Sequence, residues 1–198
     1  RNTACRPTAY SVTLEIGQVA ATPTSSGRGC RRQKKAVRMM SDQHREVIDR
    51  FTGPYAFLSN FHPCRVTFYG MTFPSVEAAF QAAKCADHRD RAQFLAMTPE
   101  QAKRRGRQIR MRDDWDARKR TIMHNLLVHK FSENPDLIPK LLATGGAVLV
   151  EGNAWHDNYW GCCTCSRCGG RRGRNNLGRL LMELRADYMA SYKEDGRT

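Results

Sequence analysis

The stretch FPSVEAAFQAAKC, residues 73–85, constrains this chain more than any other. It predicts a helix over 75–86. Ala78, Ala79, Ala82 and Ala83 keep its sides narrow, so neighbouring elements can approach closely. Ser75, behind Pro74, is placed to cap the first turn, which sets Glu77 near the positive end of the helix. Glu77, Gln81 and Lys84 follow at i, i+4 and i+7 and share one face, with Phe80 beside them. Two readings fit such a row: a solvated salt-bridge edge, or the wall of a polar pocket.

The surrounding pattern predicts an α+β fold, mainly helical, in a single domain with a small β-hairpin or short sheet. CRVTFYGMTFP (64–74) alternates around Tyr69-Gly70 and reads as a hairpin. A short helix is expected over 88–96. Thr98, Pro99 and Gln101 form a capping-box start for a helix that stops near Gly106. Asp113 or Asp114 is expected to cap the next helix, whose apolar face (Trp115, Ile122, Met123, Leu126, Leu127, Phe131) runs to about residue 131. PDLIPKLLATGG gives another helix ending at Gly145, and AVLVEGN (147–153) is strand-like. Leu177, Leu180, Leu181, Leu184 and Tyr188 mark a terminal amphipathic helix.

Charge and cysteine narrow the function classes. The net charge of +14 favours anionic partners, but its distribution matters. Residues 1–40 carry eight Lys or Arg against Glu15 alone, half of the excess in a fifth of the chain. This segment lacks apolar periodicity and is expected to be a disordered basic leader, with the folded domain spanning 41–198 and opening at Met40-Ser41. What remains is a modestly basic domain suited to an anionic ligand. No apolar run approaches a membrane span and no apolar signal segment opens the chain, so a cytoplasmic protein with no membrane partner is expected. In that setting the eight cysteines are expected as reduced thiols.

Polar residues concentrate in four clusters: FLSNF (57–61), the 75–86 helix, EGNAWHDNYWG (151–161) and GRNNLG (173–178). Free N–H groups at the start of the last helix would suit an anion. Taken in order, FLSNF, FPSVEAAFQAAK, Trp115, LLATG, LVEGN-WHD-YWG and GRNNLGRLLMELR resemble the NADAR superfamily, the YbiA-like proteins, from about residue 49 to residue 189.

That resemblance implies a metal-independent N-glycosidase with no cofactor. Its substrates would be a phosphoribosylamino-pyrimidine of the riboflavin pathway or ADP-ribose attached to guanine. Nucleic acid enters only through the modified guanine and is not required. The resemblance points to Glu77 as the carboxylate at the ribose, Lys84 as its electrostatic partner and Asp157 as the second acid. Asn60, Gln81 and Asn176 would position substrate and Trp155 or Trp160 would stack on the base; Ser59, Phe80, Trp115 and Gly178 complete the expected binding set. Structural roles compete for several of these: core anchor for Trp115 and Trp160, turn residue for Asp157, helix cap for Asn176. His156 is left outside catalysis. Cys163, Cys165 and Cys168, with Cys162 adjacent, read first as a reduced, glycine-flanked lid loop, with a structural metal site as the lesser option and a fourth ligand from Cys162, His156 or another loop. A rival class, a module that binds ADP-ribose or a nucleotide without cleaving it, fits the same pocket. A basic nucleic-acid binder draws on the leader and the cysteines. The sequence does not specify the oligomeric state.

Overall fold

The computed structural model describes residues 46–169, 173–194 and 196; the expected leader, residues 1–40, lies outside them. β1 (Val47–Ile48) and a 3-10 turn at Gly53–Leu58 lead into the hairpin of β2 (Pro63–Phe68) and β3 (Met71–Ser75). Tyr69 and Gly70 both take left-handed backbone, φ 52° and 73°. That geometry closes a two-residue turn with the twist the strands need. Phe68 then pairs with Met71 and Val66 with Phe73, as the alternation predicts.

The hairpin runs directly into α1 (Val76–Ala83). The Ser75 hydroxyl accepts from the Ala78 N–H at 3.1 Å, the expected cap. All eight residues of α1 are buried, including Glu77 and Gln81, so the alanines do let neighbours close in on every side. α2 (Pro99–Arg105) starts with the full Thr98–Gln101 capping box. α3 (Trp115–Glu133), α4 (Leu137–Ala143) and α5 (Asn176–Glu194) complete the helical part. α1 packs against the hairpin, α2 and α3, while α5 packs on α3 and α4. Leu58, Phe73, Leu126, Phe131, Leu149 and Leu180 are fully buried between them.

Three local expectations are corrected. Residues 88–96 form a 3-10 helix over His88–Phe94, because only Phe94 is buried and so short a segment gains little from a full α-helical turn. Asp114 occupies the N-cap of α3 without capping it, since Arg112 and Arg118 bind its carboxylate. The strand over 147–153 is broken into β4 (Val148–Leu149) and β5 (Gly152–Asn153). β4 runs parallel to β1, whereas β5 runs parallel to β6 (Cys162–Cys163). The break falls where the Gly152 N–H turns back on the Val150 carbonyl at 3.0 Å. A Cβ at Gly152 would strike the Asp49 carbonyl, so only glycine passes there.

Lys130 is fully buried on α3 and donates to the Ser59 carbonyl at 2.8 Å. Burial pulls its ammonium down to about 8. The folded state therefore gives up this proton before the unfolded chain does, and stability rises as pH climbs from there toward the ordinary lysine value. In denaturant melts the wild type is expected to gain about 2 kcal/mol relative to Lys130→Met between roughly pH 8 and 10. Parallel pH curves for the two proteins would discard that account. No helix among the described residues is long and apolar enough to cross a membrane.

Candidate active site

The polar face of α1 opens onto a cavity of about 1450 Å³. Its other walls are the turn at Ser59–Pro63, the outer side of α2, and the segment Val150–Trp160 that follows the strand break. Two of these walls owe their positions to local features already described. The α1 cap fixes the register of Glu77, Gln81 and Lys84. The break at Gly152 brings Glu151 to the cavity while Leu149 stays in the core.

Glu77 is 6% exposed, and its Oε1 accepts from Gln81 Nε2 at 2.7 Å. Burial pushes its carboxyl above the usual range; Gln81, Lys103 and Lys84 pull it back, and Asp157 pushes it further. The Gln81 Oε1 is buried without a partner, close against the Cα of Gly106 at the end of α2, where any larger residue would displace it. Lys84 lies near the rings of Phe80 and Trp115, 5.5 and 5.6 Å from their centroids. Burial lowers its ammonium while Glu77 supports it.

The Ser59 hydroxyl accepts from the Phe61 N–H, and Asn60 donates to the Met123 sulfur at 3.6 Å. The Asn60 Oδ1 is buried and unpartnered. Unpartnered buried acceptors on a cavity wall are costly unless water or a ligand supplies the missing donor. The carbonyl of Asn60 receives the Glu77 N–H at 3.0 Å, which ties this turn to the start of α1.

Asp157 lines the cavity, but its Oδ1 accepts from the N–H groups of Tyr159 and Trp160 at 3.1 and 2.8 Å. That makes it the organiser of the following turn. Trp160 lines the cavity and meets Phe80 edge-on at 5.4 Å. Trp155 stands 58% exposed at the cavity, with Lys103 between it and Phe61, 5.1 and 5.2 Å from the two rings.

Three expected binding residues stand elsewhere. Trp115 is buried against Phe80 at 4.9 Å and anchors α3 in the core. Asn176 donates to the Tyr159 carbonyl at 2.9 Å, and the backbone N–H groups of Asn176 and Leu177 are taken by Tyr159 and Trp160. These contacts occupy the first two N–H groups of α5. Gly178 is required because a Cβ there would strike the Leu149 carbonyl and the Asn175 side chain.

The structure adds residues that periodicity did not single out. Glu151 faces the same cavity as Glu77, with Oε2 buried and unpartnered. Burial and the nearby Asp157 push its carboxyl up to about 7. Lys103 and Arg104 line the cavity from α2, and Arg107 from the turn just after it. Their i, i+1, i+4 spacing was visible, but a basic helix face is ordinarily solvated, and nothing local says what it overlooks.

A cavity with one buried and one half-buried acid, aromatic walls and a cationic edge defines a protein built to take a small molecule. The model of one family, described as the NADAR domain, matches residues 48–188, and the chain belongs to that family. It is 35% identical over 140 residues to an N-glycosidase of Nostoc punctiforme, covering 68% of this chain and 86% of that protein. With N-glycosidase YbiA of Escherichia coli the identity is 37% over 134 residues, 66% of this chain and 80% of the relative. A riboflavin biosynthesis protein of Zea mays, PYRR, is 36% identical over 157 residues; the match covers 69% of this chain but only 24% of the maize protein. The NMR structure of the E. coli protein YbiA superposes with a TM-score of 0.65 at 34% identity, covering 76% of this chain and 90% of that one.

Proposed function

We propose that this protein is an N-glycosidase that hydrolyses the bond between a phosphorylated ribose and a base or aminopyrimidine. The observation that carries the proposal is the buried Glu77 carboxyl and the half-buried Glu151 carboxyl on one cavity whose edge holds Lys103, Arg104 and Arg107. The names of the N-glycosidase relatives support the same class.

Cleaving C1′–N builds positive charge on the ribose, which a fixed carboxylate stabilises. Burial raises the Glu77 carboxyl, but the Gln81 hydrogen bond and the nearby Lys103 and Lys84 favour its charged form, which suits that role. Glu151 suits the complementary role of acid, since a carboxyl held up to about 7 still carries its proton in a large share of molecules near neutral pH, whereas an ordinary carboxyl has lost it. In the proposed step the C1′–N bond breaks, the departing nitrogen takes the Glu151 proton, and water adds to C1′ as Glu77 accepts a proton from it. Trp155 or Trp160 would stack on the departing base and the α2 cations would hold phosphate.

Substrate choice is tested by product analysis with ADP-ribosyl-guanosine and a phosphoribosylamino-pyrimidine. Release of free base or amine from one of them identifies the substrate. Tight binding of either with no turnover would replace the glycosidase by a binding module. The phosphate assignment has its own test: Arg104→Ala with Arg107→Ala is expected to raise KM on the order of tenfold for a phosphorylated substrate with little change in kcat. An equal loss with an unphosphorylated ribosyl substrate would count against a phosphate role.

A further inference from the structure

We propose that His156, Cys163, Cys165 and Cys168 form a structural zinc site that fastens the cavity loop. A ring nitrogen of His156 and the three sulfurs lie within 4.8 Å of one another. Nδ1 is 3.0 Å from the Cys165 sulfur and 3.5 Å from that of Cys168. Zinc bonds of about 2.3 Å to sulfur and 2.0 Å to nitrogen put the ligand atoms of a tetrahedron roughly 3.5–3.8 Å apart. The four atoms therefore need only small adjustments to close on one ion.

The surroundings are those of metal-bound thiolates. The Cys163 sulfur receives the backbone N–H groups of His156 and Cys165 at 3.3 and 3.4 Å, and Asn158 donates to the Cys168 sulfur at 3.1 Å. Donors aimed at sulfur stabilise negative charge there and orient the ligands. Cys165 and Cys168 bracket a single 3-10 turn that ends at Gly169 in left-handed backbone, φ 56°. His156 is itself left-handed at φ 68°, a conformation that a non-glycine residue holds only when its surroundings demand it.

The identity of the ligands selects the metal and the role. Three thiolates and an imidazole favour zinc, and a complete set of four leaves no open position for chemistry. The location explains the purpose. Cys163 and Cys168 are buried yet lie outside the main hydrophobic cluster. A segment without its own apolar core needs another tether. Asp157 and Trp155 flank His156 directly, so the ion would hold that part of the cavity wall and touch no reacting atom.

The test uses the full chain, purified under reducing conditions without added metal. Elemental analysis is expected to find one zinc per chain, and X-ray absorption to find three sulfurs and one nitrogen around it. Cobalt should replace zinc and produce an intense thiolate-to-metal absorption band. Cys165→Ser with Cys168→Ser is expected to abolish both signals, and a strong chelator should lower the melting temperature of the wild type only. A protein that carries no metal and takes up neither zinc nor cobalt would overturn the site. So would a disulfide among these cysteines in a digest of protein purified separately without reductant, or zinc that persists in the double variant. If the double variant does not fold, metal content and absorption of the wild type decide alone.

Discussion

Glu77→Gln is expected to lower base release from the ribosylated substrate by about a thousandfold while the fold stays intact. The substitution removes one charge and no volume. Gln81 Nε2 still finds an oxygen at the same position, so the contact that orders the α1 face survives. What disappears is the negative charge opposite the ribose, which matters most when C1′ is cationic and least in the ground state. The loss should therefore fall on kcat, with KM nearly unchanged. Stability should move the other way. Burial raises the Glu77 carboxyl, so the folded state holds this proton more tightly than the unfolded chain. Ionisation then costs stability as pH rises through the raised value, and the amide is free of that cost. A Glu77→Gln protein that is slow yet melts no earlier than wild type fits this account. One that keeps most of the wild-type rate would remove Glu77 from the mechanism.

Glu151→Gln is expected to cost on the order of a hundredfold in rate at mildly acidic pH and progressively less as pH rises. The sign follows from its proton. With the carboxyl held up to about 7, the acid form predominates below that value and donates to the departing nitrogen. Above it the wild type loses its own acid, so wild-type activity declines and the two profiles converge. The alkaline limb should vanish in the variant. A substrate whose base leaves without protonation should show little difference between the two proteins, separating proton donation from substrate positioning. Persistence of the limb in Glu151→Gln would assign it to another group on the cavity.

The local parts of this architecture were readable residue by residue. The Ser75 cap, the Thr98–Gln101 capping box, the Tyr69-Gly70 turn and the leucine pattern of α5 each depend on atoms only a few positions apart. The row of Glu77, Gln81 and Lys84 was legible for the same reason, since helical spacing alone aligns it. Its burial was not, because burial depends on which elements close over α1. The family resemblance added Ser59, Asn60, Asp157 and Trp160, and all four line the cavity. It also brought in Trp115, Asn176 and Gly178, whose packing roles become visible only when α3 meets Phe80 and α5 meets Leu149.

The amino-acid sequence by itself determined the hairpin, the α-helices, the Ser75 and Thr98–Gln101 caps and the polar face of α1, because those follow from hydrogen bonds and side-chain periods within a few residues. Tertiary structure alone decided that Glu151 joins Glu77, that the basic face of α2 overlooks the same cavity, and that His156 meets three cysteines up to twelve positions away. The physical reason is common to all three. Each depends on a break or turn, at Gly152, Gly106 or Gly169, that redirects the chain, and on the packing of separate elements that fixes where the redirected side chains converge.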